Sequence, residues 1–152
     1  IIGGEIALTK RIGSIGSIRA AEGGTGPLST VFRGERASMT PEHVFANGLS
    51  PKGNNLDLLR HVTANRADSG FIATSPQFDI AHGFAGRNGY VYEIVPKGGI
   101  NVNARLGPTS PFPEQMEIAI PHGVSPANVR GAYPLSRGAL TGEYIPNPLF
   151  KK

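Results

Sequence analysis

Twenty-one glycines and 13 prolines among 152 residues set the tightest limit on what this chain can fold into. About one residue in five either frees the backbone or fixes it, so long uninterrupted helices have nowhere to form. Short strands and short helices separated by many turns remain. The glycine and proline share stays below the range of low-complexity disorder. Hydrophobic residues make up 39%, enough for one folded core at this length. Charged residues are only 17%, which argues against a coiled coil or a charge-driven disordered tail. No cysteine occurs, so disulfides, thiolate zinc sites and thiol nucleophiles are excluded. No apolar run approaches the ~18 residues of a membrane span. The formal charge of +4 suits an anionic ligand or nucleic acid and requires neither.

Residues 1–28 read as a separate segment. Ile6, Ile12, Ile15 and Ile18 are loosely spaced for a helix face, which Gly13 and Gly16 weaken. Gly23-Gly24-Thr25-Gly26-Pro27 then reads as a linker. The glycine runs lack both the lysine of a phosphate loop and a preceding strand. No basic stretch precedes the apolar start and Glu5 interrupts it, so a signal peptide is not expected. The first residue is Ile, and the chain is expected to be a piece of something longer, with 1–28 as the remnant of a delivery scaffold. The compact domain is expected over 29–152.

Within that domain, Ser29–Phe32 reads as a strand. Thr40-Pro41-Glu42 opens a helix that Gly48 ends. A second helix is expected over Leu56–Ala64, with Leu56, Leu59 and Thr63 on one face. Ser69–Thr74 reads as a strand. Ser75-Pro76 resembles a helix cap, with a helix running to about Ala85. Gly89–Val95 is the clearest strand. Ile100–Asn103, Gln115–Ile120 and Val129–Leu135 are further strands, Arg105–Pro113 is a loop, and Thr141–Ile145 is a candidate edge strand. Helices come early and strands late, which predicts α+β with a mixed or antiparallel sheet. His43, His61, His82 and His122 are scattered without metal-ligand spacing, so no metal site is expected. There is no GxSxG elbow. Spacing alone does not name a chemistry.

Several short stretches, taken in order, do. Val31-Phe32-Arg33-Gly34-Glu35 is followed by Pro41-Glu42-His43-Val44-Phe45-Ala46-Asn47-Gly48-Leu49, then by Gly53-Asn54-Asn55 and His61. Phe71-Ile72-Ala73-Thr74-Ser75, Gly89–Val95, Pro113-Glu114-Gln115-Met116-Glu117 and the stretch from Gly123 to Tyr133 follow. Together these resemble the pertussis- and cholera-toxin-like mono-ADP-ribosyltransferases, over about residues 29–135. The resemblance implies an ADP-ribosyltransferase fold: a split mixed or antiparallel sheet with flanking helices and a cleft for NAD, with no metal.

It also implies roles. Glu117 matches the catalytic glutamate, which bonds the ribose 2′-hydroxyl as the ring becomes cationic. Arg33 matches the first-strand arginine, suited to the NAD pyrophosphate. His61 matches a histidine near the NAD ribose, able to exchange hydrogen bonds there or to help deprotonate an acceptor. Thr74 and Ser75 fit the strand end shaping the nicotinamide pocket, with Ala73 where the family often has serine and Ser75 also a candidate cap. Gln115 stands where arginine-modifying members carry a second glutamate. A glutamine cannot ionise, so arginine is not the expected acceptor. The loop holding Arg105 and Phe112 is expected to recognise the acceptor, a protein side chain or nucleic acid.

The resemblance thus implies a secreted toxin domain acting in the cytoplasm of a target cell. An interbacterial effector from a polymorphic toxin, with a neutralising immunity protein, is the expected setting. An NAD glycohydrolase that uses only the cleft and water is a second reading. A non-catalytic nucleic-acid-binding module is weaker, because Lys and Arg form no aromatic-basic stripe.

Overall fold

The computed structural model describes residues 30–64 and 67–151. The expected linker over 1–28 lies outside them.

Every strand ladder is antiparallel, and the strands form two sheets. In the first, β1 (Val31–Glu35) pairs with β3 (Tyr90–Ile94), and β3 pairs with β6 (Val129–Ser136). β6 then takes β7 (Ala139–Leu140) and β8 (Ile145–Pro146) as partners. In the second sheet, β5 (Ile118–Pro121) lies between β2 (Phe71–Thr74) and β4 (Ile100–Asn101). Among the described residues one backbone bridge joins the two. The Phe32 N–H donates to the Ser75 carbonyl at 2.8 Å and the Ser75 N–H returns the bond at 3.0 Å. This is the split α+β architecture expected from the sequence.

Alternation along the strands explains the layers. Val31, Tyr92, Ile94, Ile72, Ile118 and Ile120 face into one core between the sheets, closed by Val44 and Phe45 of α1 (Pro41–Asn47). The neighbours Phe32 and Val91 point the other way, onto Phe78, Ala81 and Ala85 of α3 (Phe78–Gly83) and the residues just after it. Phe71 and Ala119 pack outward against Leu58 and Val62 of α2 (Leu58–Ala64) and Val102 of α4 (Val102–Leu106). Burying each such side chain contributes roughly 2 kcal/mol. Tyr92 is wholly buried and its hydroxyl donates to the Met39 carbonyl at 2.6 Å. Burial raises its phenol pKa above the ordinary tyrosine range, so it remains a neutral donor.

α1 starts as its sequence predicts. Thr40 is the N-cap, its Oγ1 accepting from the His43 N–H at 3.3 Å, and Gly48 closes the helix at φ 74°. Other expectations are corrected. The face of α2 is inverted: Leu56, Leu59 and Thr63 are exposed, while Leu58, His61 and Val62 are buried. The apolar count misread it because His61 belongs to the inward face. Ser75 is not a helix cap; Gln77 is, although its N–H donates to Ser75 Oγ at 3.1 Å. Ile100–Asn103 and Gln115–Ile120 are strands only at Ile100–Asn101 and Ile118–Pro121. Arg105 sits in α4 and not in a loop, because Asn101 Oδ1 caps a helix by accepting from the Ala104 N–H at 3.0 Å. The candidate edge strand at Thr141–Ile145 is replaced by the short β7 and β8.

Candidate active site

The seam between the sheets gathers most of the residues singled out by the sequence. Arg33 on β1 is a quarter exposed and reaches across to β2: its Nη1 donates to the Ala73 carbonyl at 2.9 Å, and its Nε to Glu35. The guanidinium therefore ties the two sheets beside the Phe32–Ser75 bridge. Thr74 and Ser75 follow at the end of β2, both fully buried. Their hydroxyls are used structurally: Thr74 donates to the Ile118 carbonyl at 2.7 Å and Ser75 to the Gln115 carbonyl at 2.8 Å. Both hold the chain entering β5 against β2.

That entering segment carries the two key side chains. Gln115 ends a single 3₁₀ turn (Pro113–Gln115), and Met116 adopts the left-handed conformation at φ 50° before Glu117 leads into β5. A methionine there costs roughly 1 kcal/mol or more. The turn exposes Met116 and buries Gln115 and Glu117, each about 4% exposed. The Gln-x-Glu pair is therefore presented from a kinked turn and not from the expected strand. Glu114, next to them, is exposed. Gln115 Nε2 is fully buried and has no hydrogen-bond partner among the described residues. A buried amide N–H without an acceptor costs ~1–3 kcal/mol, which is a reason to look for a ligand.

His61 reaches the same place from α2. Its Nε2 lies 2.7 Å from Glu117 Oε2 and its Nδ1 2.7 Å from Ser69 Oγ. Phe71 packs against the ring, with centroids 5.2 Å apart. Ser69 was not singled out by the sequence, which read it only as the first residue of a strand; it pairs with Asn55 in an isolated bridge just before β2.

The residues expected to recognise the acceptor are less central. Arg105 is exposed on α4, and Phe112 is half-buried, its carbonyl accepting from the Gln115 N–H at 3.0 Å. Asn103, which the sequence did not mark, braces this loop: its Nδ2 donates to the Pro113 carbonyl at 2.9 Å, and its Oδ1 accepts from the Ser110 hydroxyl at 2.6 Å. Among the described residues no three His, Asp or Glu side chains converge as a metal site, and no helix is long and apolar enough to cross a membrane.

The family model described as Scabin-like matches residues 33–150. The chain belongs to this family. A guanine-specific ADP-ribosyl transferase of Streptomyces coelicolor is 30% identical over 115 residues, which are 74% of this chain and 54% of that protein. Among solved structures, a variant of the Scabin toxin from Streptomyces scabies has a TM-score of 0.72 at 26% identity, over 81% of this chain and 76% of the other. A guanine-specific ADP-ribosyltransferase with NADH and GDP has a TM-score of 0.70 at 27% identity, over 81% and 78%. The chain spans about half the length of the Streptomyces coelicolor relative.

The resemblance to ADP-ribosyltransferase toxins is thereby borne out, with the fold it implied, and narrowed to the Scabin-like branch. The Scabin-like match begins at Arg33 and passes beyond residue 135, where the sequence resemblance faded. Asn147 is buried, and its Nδ2 donates to the carbonyls of Pro126 at 2.9 Å and Val129 at 2.8 Å, pinning the C-terminal segment to β6.

Proposed function

We propose that this chain is the catalytic domain of a toxin that cleaves NAD and transfers ADP-ribose to guanine, in nucleic acid or in a free nucleotide. The observation that carries the reading is the Gln115–Glu117 pair. Both side chains are buried at the seam, one a carboxylate beside His61 and the other an amide with an unsatisfied N–H. The relatives support the acceptor class, since two of them are described as guanine-specific.

The chemistry follows from the residues. Glu117 accepts from the ribose 2′-hydroxyl and stabilises the positive charge that grows at C1″ as nicotinamide leaves with the bonding electron pair. A guanine nitrogen then bonds to C1″, and the His61–Glu117 pair takes the proton that the nitrogen gives up. Gln115 Nε2–H supplies the donor that the guanine O6 acceptor needs, while its Oε1 accepts from a ring N–H. Thr74 and Ser75 hold the wall of the nicotinamide site through the bonds to Ile118 and Gln115. Arg105 and Phe112 offer the phosphate and base contacts around the acceptor.

The deciding test uses labelled NAD with DNA, RNA, free guanine nucleotides and cell protein in parallel. Label on guanine is the expected result, and for polymeric acceptors it should fall as salt rises. Release of free ADP-ribose with no labelled acceptor favours the hydrolase reading. Label on arginine overturns the interpretation of Gln115.

Arg33 is expected to anchor the NAD pyrophosphate while clamping β1 to β2. Arg33→Lys should weaken NAD binding about tenfold or more, since a point charge cannot replace a planar fork. Calorimetric titration with a non-cleavable NAD analogue measures it, and unchanged affinity removes Arg33 from the site.

The wider setting is part of the same proposal: an effector released from a scaffold N-terminal to it, delivered into a target cell and held in check by an immunity protein. The domain boundary it needs is supported by the glycine-rich stretch at 23–27 and by a family match that starts at Arg33. A chain beginning at Leu28 should fold and cleave NAD at the full-chain rate. Insolubility or inactivity of that shorter chain would place the boundary elsewhere.

A further inference from the structure

We propose that Ser69 is a positioning residue for this site: its hydroxyl fixes the tautomer of His61, and through it the placement of the Glu117 carboxylate. The kinetic part rests on the reading of Glu117 as catalytic, whereas the hydrogen-bond part does not.

Ser69 is buried at the end of the turn that leads into β2. Its backbone is held by the Gly53-Asn54-Asn55 turn. The Gly53 N–H donates to the Ser69 carbonyl at 2.8 Å, while the flanking Asp68 and Gly70 bond to Asn55, each at 2.8 Å. Its side-chain oxygen accepts from the Phe71 N–H at 3.1 Å. One lone pair is thus engaged and the hydroxyl rotor is oriented, with His61 Nδ1 2.7 Å away.

For a neutral His61 ring the chain of donors has one consistent direction. A carboxylate has no hydrogen to give, so at the 2.7 Å contact His61 Nε2 must donate to Glu117 Oε2. A neutral imidazole carries only one N–H, which leaves Nδ1 as an acceptor. Ser69 then has to supply the hydrogen. The resulting order runs Phe71 N–H to Ser69, Ser69 O–H to His61, His61 N–H to Glu117. Removing the hydroxyl leaves a buried ring nitrogen without a donor and frees the ring to turn against Phe71. Glu117 then loses a fixed partner just where its geometry matters most, in the transition state. The expected loss falls on kcat and not on NAD binding.

Two variants and two readouts test this. In the 152-residue chain, nitrogen-15 NMR of the histidine rings reads the tautomer without any turnover. The wild type should show His61 protonated on Nε2, with Nδ1 shifted as a hydrogen-bond acceptor. Ser69→Ala should lose that shift, and its kcat for NAD cleavage should fall about tenfold, the worth of one such bond. Its KM for NAD should stay within about twofold of the wild type. Ser69→Thr, which keeps the hydroxyl, should restore both. Wild-type His61 protonated on Nδ1 would overturn the proposal even if Ser69→Ala fails to fold. So would a folded Ser69→Ala with unchanged spectrum and kcat, or a folded Ser69→Thr that restores neither. Absence of NAD cleavage by the wild type would instead sink the transferase reading and leave the NMR result to decide Ser69.

Discussion

Glu117→Gln should abolish ADP-ribosyl transfer, with a loss of about 10³-fold or more in kcat and almost none in stability. The separation follows from where the residue sits. Its Oε2 accepts from His61 within a buried seam, and a glutamine has the same shape and still offers a carbonyl oxygen at 2.7 Å from Nε2. The fold therefore has little to lose. The reaction loses the negative charge set opposite the developing cation at C1″, in a water-poor setting where such contacts are strongest. Single-turnover cleavage of NAD, with thermal unfolding of the same sample, measures both. A variant with near wild-type turnover would dismiss Glu117 as the catalytic group.

The second large effect is structural. Gly34→Ala should lower the unfolding temperature by about 10 °C or prevent folding altogether. Gly34 lies on β1, one residue after Arg33, where the end of α3 crosses the first sheet. A Cβ there would overlap the Ala81 carbonyl oxygen and stand 2.8 Å from the Ala85 nitrogen. Both obstacles are backbone, so no rotamer change relieves them. To make room, α3 must lift from Phe32 and Val91, exposing the second core cluster. Differential scanning calorimetry checks this, and a variant melting with the wild type would mean that α3 packs elsewhere. The close approach also explains a glycine in the middle of a strand that is otherwise well suited to side chains.

Local chemistry was readable in advance wherever it is carried by neighbours in the chain. The cap, proline and glycine of α1 are a short-range signal, and so is the run of aromatic and branched residues in β3. The order of motifs around Arg33, His61, Thr74, Ser75, Gln115 and Glu117 was enough to anticipate the family. What those residues touch was not readable. His61 and Glu117 are 56 positions apart, and their 2.7 Å contact exists only because α2 packs on the sheet that contains β5. That same contact turned the expected polar side of α2 inward.

The sequence by itself determined a turn-rich α+β domain and its family, and it named the residue types of the candidate site. Those follow from backbone preference and from motif order, which survive without knowledge of contacts. Only the tertiary structure decided how the site is assembled. It turned the Gln-x-Glu pair out of a strand and into a left-handed kink, spent the hydroxyls of Thr74 and Ser75 on the chain entering β5, and brought Ser69 to His61. It also recruited Asn147 to hold the C-terminal segment on β6. The physical reason is common to the last three. Buried polar groups must find partners, and which partner is within reach is set by packing between distant elements and not by the local chain.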